Sequence, residues 1–371
     1  MRRVLLNPGP ANTSDAVKRA LVIPDVCPRD RDACASLQSV CEELAGLLAA
    51  DGTFRAIPFV GSGTAALEAA LGSLAPPDRI TVVLDNGDYG ERLAEISAAL
   101  EIPSRVIRTG WGASFRLRRL EAVLDELGPR AGALACVHHE TSTGMLNPVE
   151  EIGPLARSRG LTVIVDAMSS FPCVPLAPEW ADAVVLSSAK CLQAVAGLAF
   201  VLTRSTLLEQ GPIGRPRGYY LDLFAQDSHL QATGEMRFTF PPQLVSALQR
   251  ALRELREETA VGRRARYDTS FEVLAAGLRD LGLELLLPAA EQSRILVAVR
   301  APTEAWFDYR RLHDLLDERG FTIYPGKAGT VECFRLAVLG DIDAADLRAF
   351  LAALEDCLSR MNTSEVTPCA T

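Results

Sequence analysis

The sequence predicts an α/β chain: a large, mostly parallel sheet in front and a smaller α+β domain behind it. Three observations carry that prediction. Short runs rich in Val, Ile and Leu alternate with longer amphipathic stretches, the pattern of βαβ units whose sheet is covered on both faces. Near Leu244 the texture changes to long, charged helical sequence followed by isolated strand-like segments. At 371 residues, 48% apolar and 23% charged, the chain is long enough for two domains and has the composition of a globular protein.

In chain order, "MRRVLLNPGP" has two arginines but only a short apolar stretch before Pro8, so it fails as a signal peptide. No later segment has an unbroken apolar span of membrane length. "FRAIPFV", "RITVVLD", "PSRVIR", "GALACVHH", "LTVIVDA", "ADAVVLSS" and "LAFVLT" read as strands, being short, β-branched and bounded by polar or turn residues. "GTAALEAALGSL" and "NPVEEIGPLARSRG" read as helices between them, the second closed by a terminal Gly. From Leu244 a single long charged helix runs to "LRDLG", and "SRILVAVRAP", "FTIYPG" and "VECFRLAV" follow as strands flanked by the helices "YRRLHDLLDERG" and "DAADLRAFLAALEDCLSRM". The expected division is residues 1–245 for the sheet domain, 246–362 for the smaller domain, and a short polar tail at 363–371 without fixed structure.

A formal charge of −9 argues against nucleic-acid binding, which needs a basic face. Nine cysteines without a paired CxxC framework point to free thiols in a reducing, cytoplasmic setting. Cys27, Cys34 and Cys41 recur every seven residues, which reads as one side of a helix rather than a metal site, and no metal is expected. Of the 38 basic residues only Lys18, Lys190 and Lys327 are lysine, and Lys190 ends an apolar run where a bare ammonium is costly to bury.

Ligands of open α/β sheets bind beyond the carboxyl ends of the strands. There, Gly61, Ser62, Gly63 and Thr64 lead into a helix whose free N–H groups suit a phosphate, although the run is neither GxGxxG nor a P-loop. Asp166 ends "LTVIVD", either as a helix cap or as the partner of a bound cation; beside a pyridine nitrogen it would keep that nitrogen protonated. Lys190 follows a later strand, where a neutral amine can form a Schiff base with an aldehyde cofactor. Phosphate cup, aspartate and lysine, each at a strand end, point together to pyridoxal 5'-phosphate, and Tyr89 in "DNGDYGER" can cover its ring.

The strings "LLNPGP", "CPRDRD", "GSGTAALEA", "HHETSTGMLNPVEEIG", "VDAMSSF", "SSAKCLQAVAGLAFV", "RFTFPP", "IYPGK" and "CFRLAVLGDI" extend this over nearly the whole chain, which resembles the class V, fold-type I pyridoxal phosphate aminotransferases. The resemblance implies a mostly parallel seven-stranded sheet, a homodimer with its sites at the interface, and these roles. Lys190 is the Schiff-base lysine and proton shuttle, with Asp166 on the pyridine nitrogen. Tyr89 stacks on the ring, Thr141 bonds the phenolic oxygen, and Ser62, Gly63 and Thr64 hold the phosphate. Thr239 reaches the phosphate from the other subunit, and Ser188 and Gln193 line the pocket. Arg335 forks onto a substrate carboxylate, a task suited to its planar guanidinium. Arg29 receives the far anionic group of the donor, or else pairs with Asp30 or Asp32. His138 and His139 are read as packed or orienting groups.

Within the family the likeness is to the branch that moves an amino group from 2-aminoethylphosphonate, or a related small anionic amine, to pyruvate, giving phosphonoacetaldehyde and alanine by a ping-pong route. The alternatives are an alanine:glyoxylate or serine:pyruvate type, a natural-product aminotransferase, or a lyase or cysteine desulfurase using Cys333. Ala189 stands where the family usually has Asn, and "AVAGLAF" replaces "GVPGFGF". Both departures surround the pocket and bear on the donor, not on the cofactor.

Overall fold

The computed structural model describes residues 3–329 and 331–363. Its strands are β1 (Val4–Leu5), β2 (Phe54–Gly61), β3 (Ile80–Asp85), β4 (Ser104–Arg108), β5 (Ala131–Val137), β6 (His139–Glu140), β7 (Met145–Leu146), β8 (Thr162–Asp166), β9 (Ala183–Ser187), β10 (Gly197–Arg204), β11 (Leu296–Arg300), β12 (Phe321–Thr322), β13 (Tyr324–Ala328) and β14 (Val331–Ala337). Seven of them form one sheet in the order β2-β10-β9-β8-β5-β3-β4. Its pairs are parallel except around β10, which runs antiparallel to both neighbours. β5 is buried at every position, as a central strand covered on both faces must be.

Alternation along the strands sorts side chains between two layers. Phe54, Val82, Leu84, Val184 and Leu186 pack on one face with the helices Arg31–Leu48 and Val149–Ser158. Ile57, Phe59, Val83 and Val185 pack on the other with the helices Gly63–Leu74 and Asp88–Ala99. A three-stranded antiparallel sheet, β11-β14-β13, anchors the C-terminal part. Its core holds Val297, Phe334, Leu336 and Phe350, and also takes in Val4, Leu6 and Ala11 from the start of the chain. No helix among the described residues is long and apolar enough to cross a membrane.

The long helix expected from Leu244 is two helices, Pro242–Glu258 and Ala260–Asp280. The break is at Thr259, held at φ 66°, whose hydroxyl accepts the N–H of Gly262 and so caps the second helix. Leu248, Leu252 and Leu255 of the first helix pack under the large sheet, whereas Tyr267, Phe271 and Leu274 of the second lie in the C-terminal core. The segment read as one strand, "FTIYPG", serves two sheets: β12 pairs in parallel with β1, and β13 pairs with β14. The last helix runs through Thr363, and the rest of the expected tail, 364–371, lies outside the described residues.

Candidate active site

Lys190 lies in the connection between β9 and β10, which must reverse direction because the two strands are antiparallel. The reversal is tightly bonded. Gln193 N–H donates to the Lys190 carbonyl at 2.9 Å and Ala194 N–H to that of Ser188 at 2.9 Å, while the Ser188 hydroxyl donates to the Val195 carbonyl at 2.6 Å. The ammonium donates to the Pro8 carbonyl at 2.5 Å. Gly9 makes room for it, since a Cβ there would lie 2.3 Å from Nζ. Burial lowers the Lys190 pKa to about 8 against the opposing pull of Asp166, with Arg335 and Arg92 lowering it further.

Asp166 ends β8 beside that strand's parallel neighbour β9. It is buried, and one oxygen accepts the Met168 N–H at 3.0 Å. Burial pushes its carboxyl up to about 6, while the Met168 N–H and the charges of Lys190 and Arg92 pull the other way. Met168 also forms the floor of the helix start at Gly63, where a Cβ would meet its sulfur at 2.0 Å. Ser62 occupies the N-cap position without a side-chain cap bond, so the helix Gly63–Leu74 presents N–H groups free of a side-chain cap.

The opposite wall comes from "HHETSTG". Glu140 is fully buried and accepts the N–H groups of Tyr89, Gly90 and Ser142 at 3.1–3.3 Å and the Ser142 hydroxyl at 2.5 Å. It thereby caps the helix Asp88–Ala99 and fixes Tyr89 on its first turn. Burial raises the Glu140 carboxyl to about 6 despite these donors. Arg92, one turn on, stacks over the Tyr89 ring at 4.7 Å. Thr141 is buried and its carbonyl accepts Arg335 Nη1 at 3.2 Å; Arg335 Nε and Nη2 donate to the Pro325 carbonyl at 3.2 and 3.0 Å. Arg335 is only 6% exposed, and no carboxylate among the described residues lies within ion-pair distance of it.

Both histidines are neutral near pH 7. Burial lowers His138 to about 3 and His139 to about 4. His138 Nδ1 meets the Ser170 hydroxyl at 3.0 Å, and His139 Nδ1 meets the Ser169 carbonyl at 3.0 Å, which leaves His139 Nε2 buried without a partner. Cys333 is buried inside β14 and its thiol is pushed up by burial, so it is a poor nucleophile.

The fold thus couples Lys190 to Asp166, Arg92 and Arg335, sets Gly63 against Met168 beside Asp166 in the chain, ties Arg335 to Thr141, and stacks Arg92 on Tyr89. Gln193 departs from its expected place: its amide donates to the Tyr267 hydroxyl at 2.6 Å and serves the turn, not the pocket. Arg29 is exposed and pairs with Glu235, not with Asp30 or Asp32, and its Nη2 donates to the Arg237 carbonyl. Thr239 is exposed beside the aromatic cluster of Tyr219, Tyr220 and Phe238. Of the cysteines spaced by seven, Cys34 and Cys41 are buried along the helix Arg31–Leu48, and Cys27 is exposed ahead of it. Sequence reasoning missed Pro8, since a backbone carbonyl leaves no residue-type signal. It also missed Glu140 and Arg92, the second of which was visible as an i,i+3 partner of Tyr89.

An uncapped helix start floored by Met168, a buried carboxylate and a half-buried amine of lowered pKa suit a phosphate, a pyridine nitrogen and an aldehyde in turn. The chemistry of these groups therefore fits pyridoxal phosphate.

The chain belongs to the class V aminotransferases: the family model "Aminotransferase class-V" matches residues 20–340. It is accordingly a transaminase that uses pyridoxal phosphate. It is 41% identical to the 2-aminoethylphosphonate–pyruvate transaminase of Syntrophobacter fumaroxidans, with 96% of each chain covered. The Pseudomonas aeruginosa PAO1 enzyme of the same name is 36% identical over 98% of each chain. Among solved structures, alanine–glyoxylate aminotransferase from Nostoc sp. superposes with a TM-score of 0.88 at 27% identity, covering 96% of each chain. Ureidoglycine–glyoxylate aminotransferase from Bacillus subtilis superposes at 0.87 and 25%, covering 98% of this chain and 94% of its own.

Proposed function

We propose that this enzyme moves the amino group of 2-aminoethylphosphonate to pyruvate, giving phosphonoacetaldehyde and alanine. The observation that carries the reading is Arg335: a buried guanidinium bonded to the Thr141 and Pro325 carbonyls and lying over the Tyr324 ring, with no ion pair to a described carboxylate, suits an incoming carboxylate. The names and full-length coverage of its relatives support the phosphonate as donor.

Pyridoxal phosphate, when bound, supplies an aldehyde carbon that accepts amines and a ring that draws electrons from the adjoining carbon. Ser62, Gly63 and Thr64 hold its phosphate, Thr141 its phenolic oxygen, and Tyr89 one face of its ring; Ser188 shapes the turn beside it. Asp166, ionised above its pKa of about 6, holds a proton on the ring nitrogen. Lys190 at Nζ takes a proton from the donor carbon and delivers it to the neighbouring carbon, and a pKa near 8 leaves it able to do both near neutrality. The Pro8 carbonyl is an acceptor for the amine when it carries the proton. Arg335 then orients pyruvate for the reverse sequence.

The exposed Tyr219 and Tyr220 beside Thr239 support a homodimer in which Thr239 joins the partner's phosphate site. Free thiols at all eight described cysteines support a cytoplasmic setting. Steady-state rates with pyruvate across a donor panel test the reading: brisk turnover of 2-aminoethylphosphonate is expected. Turnover of serine, or of alanine with glyoxylate, without turnover of the phosphonate would overturn it.

A further inference from the structure

The turn that carries Lys190 is anchored by a helix that contributes nothing to the chemistry described so far. Arg263, on the helix Ala260–Asp280, is 1% exposed, yet its Nη1 donates to the Cys191 carbonyl at 2.9 Å. Its charge is met by Glu258, which accepts Nε at 2.7 Å. One turn further along, the fully buried Tyr267 hydroxyl accepts the Gln193 amide at 2.6 Å and the Gly340 N–H at 3.1 Å.

Gln193 is held at φ 60°, a conformation that costs a side chain unless its surroundings enforce it. The ties continue into a closed ring. Gly340 bridges to Asn12, Ala11 N–H donates to the Ala189 carbonyl at 2.8 Å, and the Pro8 carbonyl receives the Lys190 amine. Every tie to the turn lands within three residues of Lys190. Glu258 is only partly buried and also pairs with Arg266, and taking a guanidinium such as that of Arg263 out of water offsets much of what an ion pair gains. What Arg263 secures here is a fixed carbonyl on the residue next to the lysine.

We propose that Arg263 and Tyr267 are positioning residues for Lys190, holding its turn so that the amine travels a short, repeatable path between the Pro8 carbonyl and the reacting carbons. This rests on the assignment of Lys190 above. It goes beyond it by giving the second core of the molecule a part in catalysis.

The test uses purified holoenzyme. Tyr267→Phe removes one hydroxyl; Gln193→Asn keeps a residue that tolerates positive φ but is one methylene too short. Each is expected to lower kcat about tenfold to a hundredfold, the scale of a misplacement near 1 Å. Affinity for an unreactive carboxylate analogue of pyruvate is expected to stay unchanged, because Arg335 is untouched. The double variant is expected to be no slower than the slower single variant, since the two groups act as a unit. Arg263→Met is expected to move kcat in the same direction; if it does not fold, the two smaller changes decide. In apoprotein, the rate at which an amine reagent labels Lys190 is expected to change while that of exposed Lys18 does not. Unchanged kcat per bound cofactor with only a lowered melting temperature would overturn the proposal, as would fully additive losses. Trapping of wild-type enzyme with borohydride keeps the two levels apart: label on another residue removes the assignment of Lys190 itself.

Discussion

Asp166 and Arg335 are buried, Lys190 is half-buried, and all three are bonded to backbone, whereas Arg29 and Thr239, the groups assigned to the donor's far end and to the partner's phosphate site, lie exposed on the same chain. The contrast separates two tasks. The inner wall, Asp166, Lys190 and Arg335, is tied to backbone within one chain. The outer wall, Arg29 and Thr239, is exposed, with Arg29 held by Glu235 and the Arg237 carbonyl. Under the proposed function the chemistry belongs to the first set and discrimination among donors to the second.

The largest break in that comparison comes from Lys190→Ala, which removes both attachment and proton carrier. Turnover is expected to fall at least about 10⁴-fold in steady-state assays, the upper range for a positioned acid–base group. Asp166→Asn keeps the shape but not the charge. Breaking a buried pair of this kind costs about 3 kcal/mol, so cofactor affinity measured by equilibrium dialysis is expected to drop on the order of a hundredfold. Arg335→Lys replaces a fork by a point charge. The loss of about 2 kcal/mol is expected as roughly a thirtyfold lower kcat/KM for pyruvate, with the rate of the donor half-reaction unaffected.

Uptake of pyridoxal phosphate by apoprotein follows the neutral fraction of Lys190. Because burial holds that pKa at about 8, the stopped-flow rate is expected to rise with pH, levelling above that value and falling about tenfold per unit below it. An ordinary lysine would still be climbing two units higher. The smallest effect is expected on the outer wall: Arg29→Ala loses an exposed pair with Glu235 and an exposed bond to the Arg237 carbonyl, so melting temperature is expected to stay unchanged and kcat for a donor without a phosphonate within about twofold of wild type. A large loss confined to the phosphonate donor would instead give Arg29 the role first read for it.

Much of the inner wall was legible because strands that feed a site announce themselves. The apolar runs before Asp166 and Lys190 became β8 and β9 within two residues of their expected ends, and the helix after Ser62 began where its glycine turn predicted. Resemblance supplied Arg335 and Thr141, which composition and periodicity alone could not single out. Three kinds of feature stayed hidden. The helix break at Thr259 depends on one residue adopting positive φ inside a sequence that is helical on both sides. The Pro8 carbonyl belongs to the backbone. Gln193 turns towards Tyr267, and Arg29 towards Glu235, because of contacts between stretches far apart in the chain.

The claim on which the account turns is that the amine of residue 190 is where pyridoxal phosphate is attached. Reduction of reconstituted enzyme with borohydride, followed by peptide mapping, tests it most directly. The account predicts a single labelled peptide containing Lys190, with Lys18 and Lys327 unmodified. Label on either of those lysines, or protein that stays colourless after reconstitution, would contradict it.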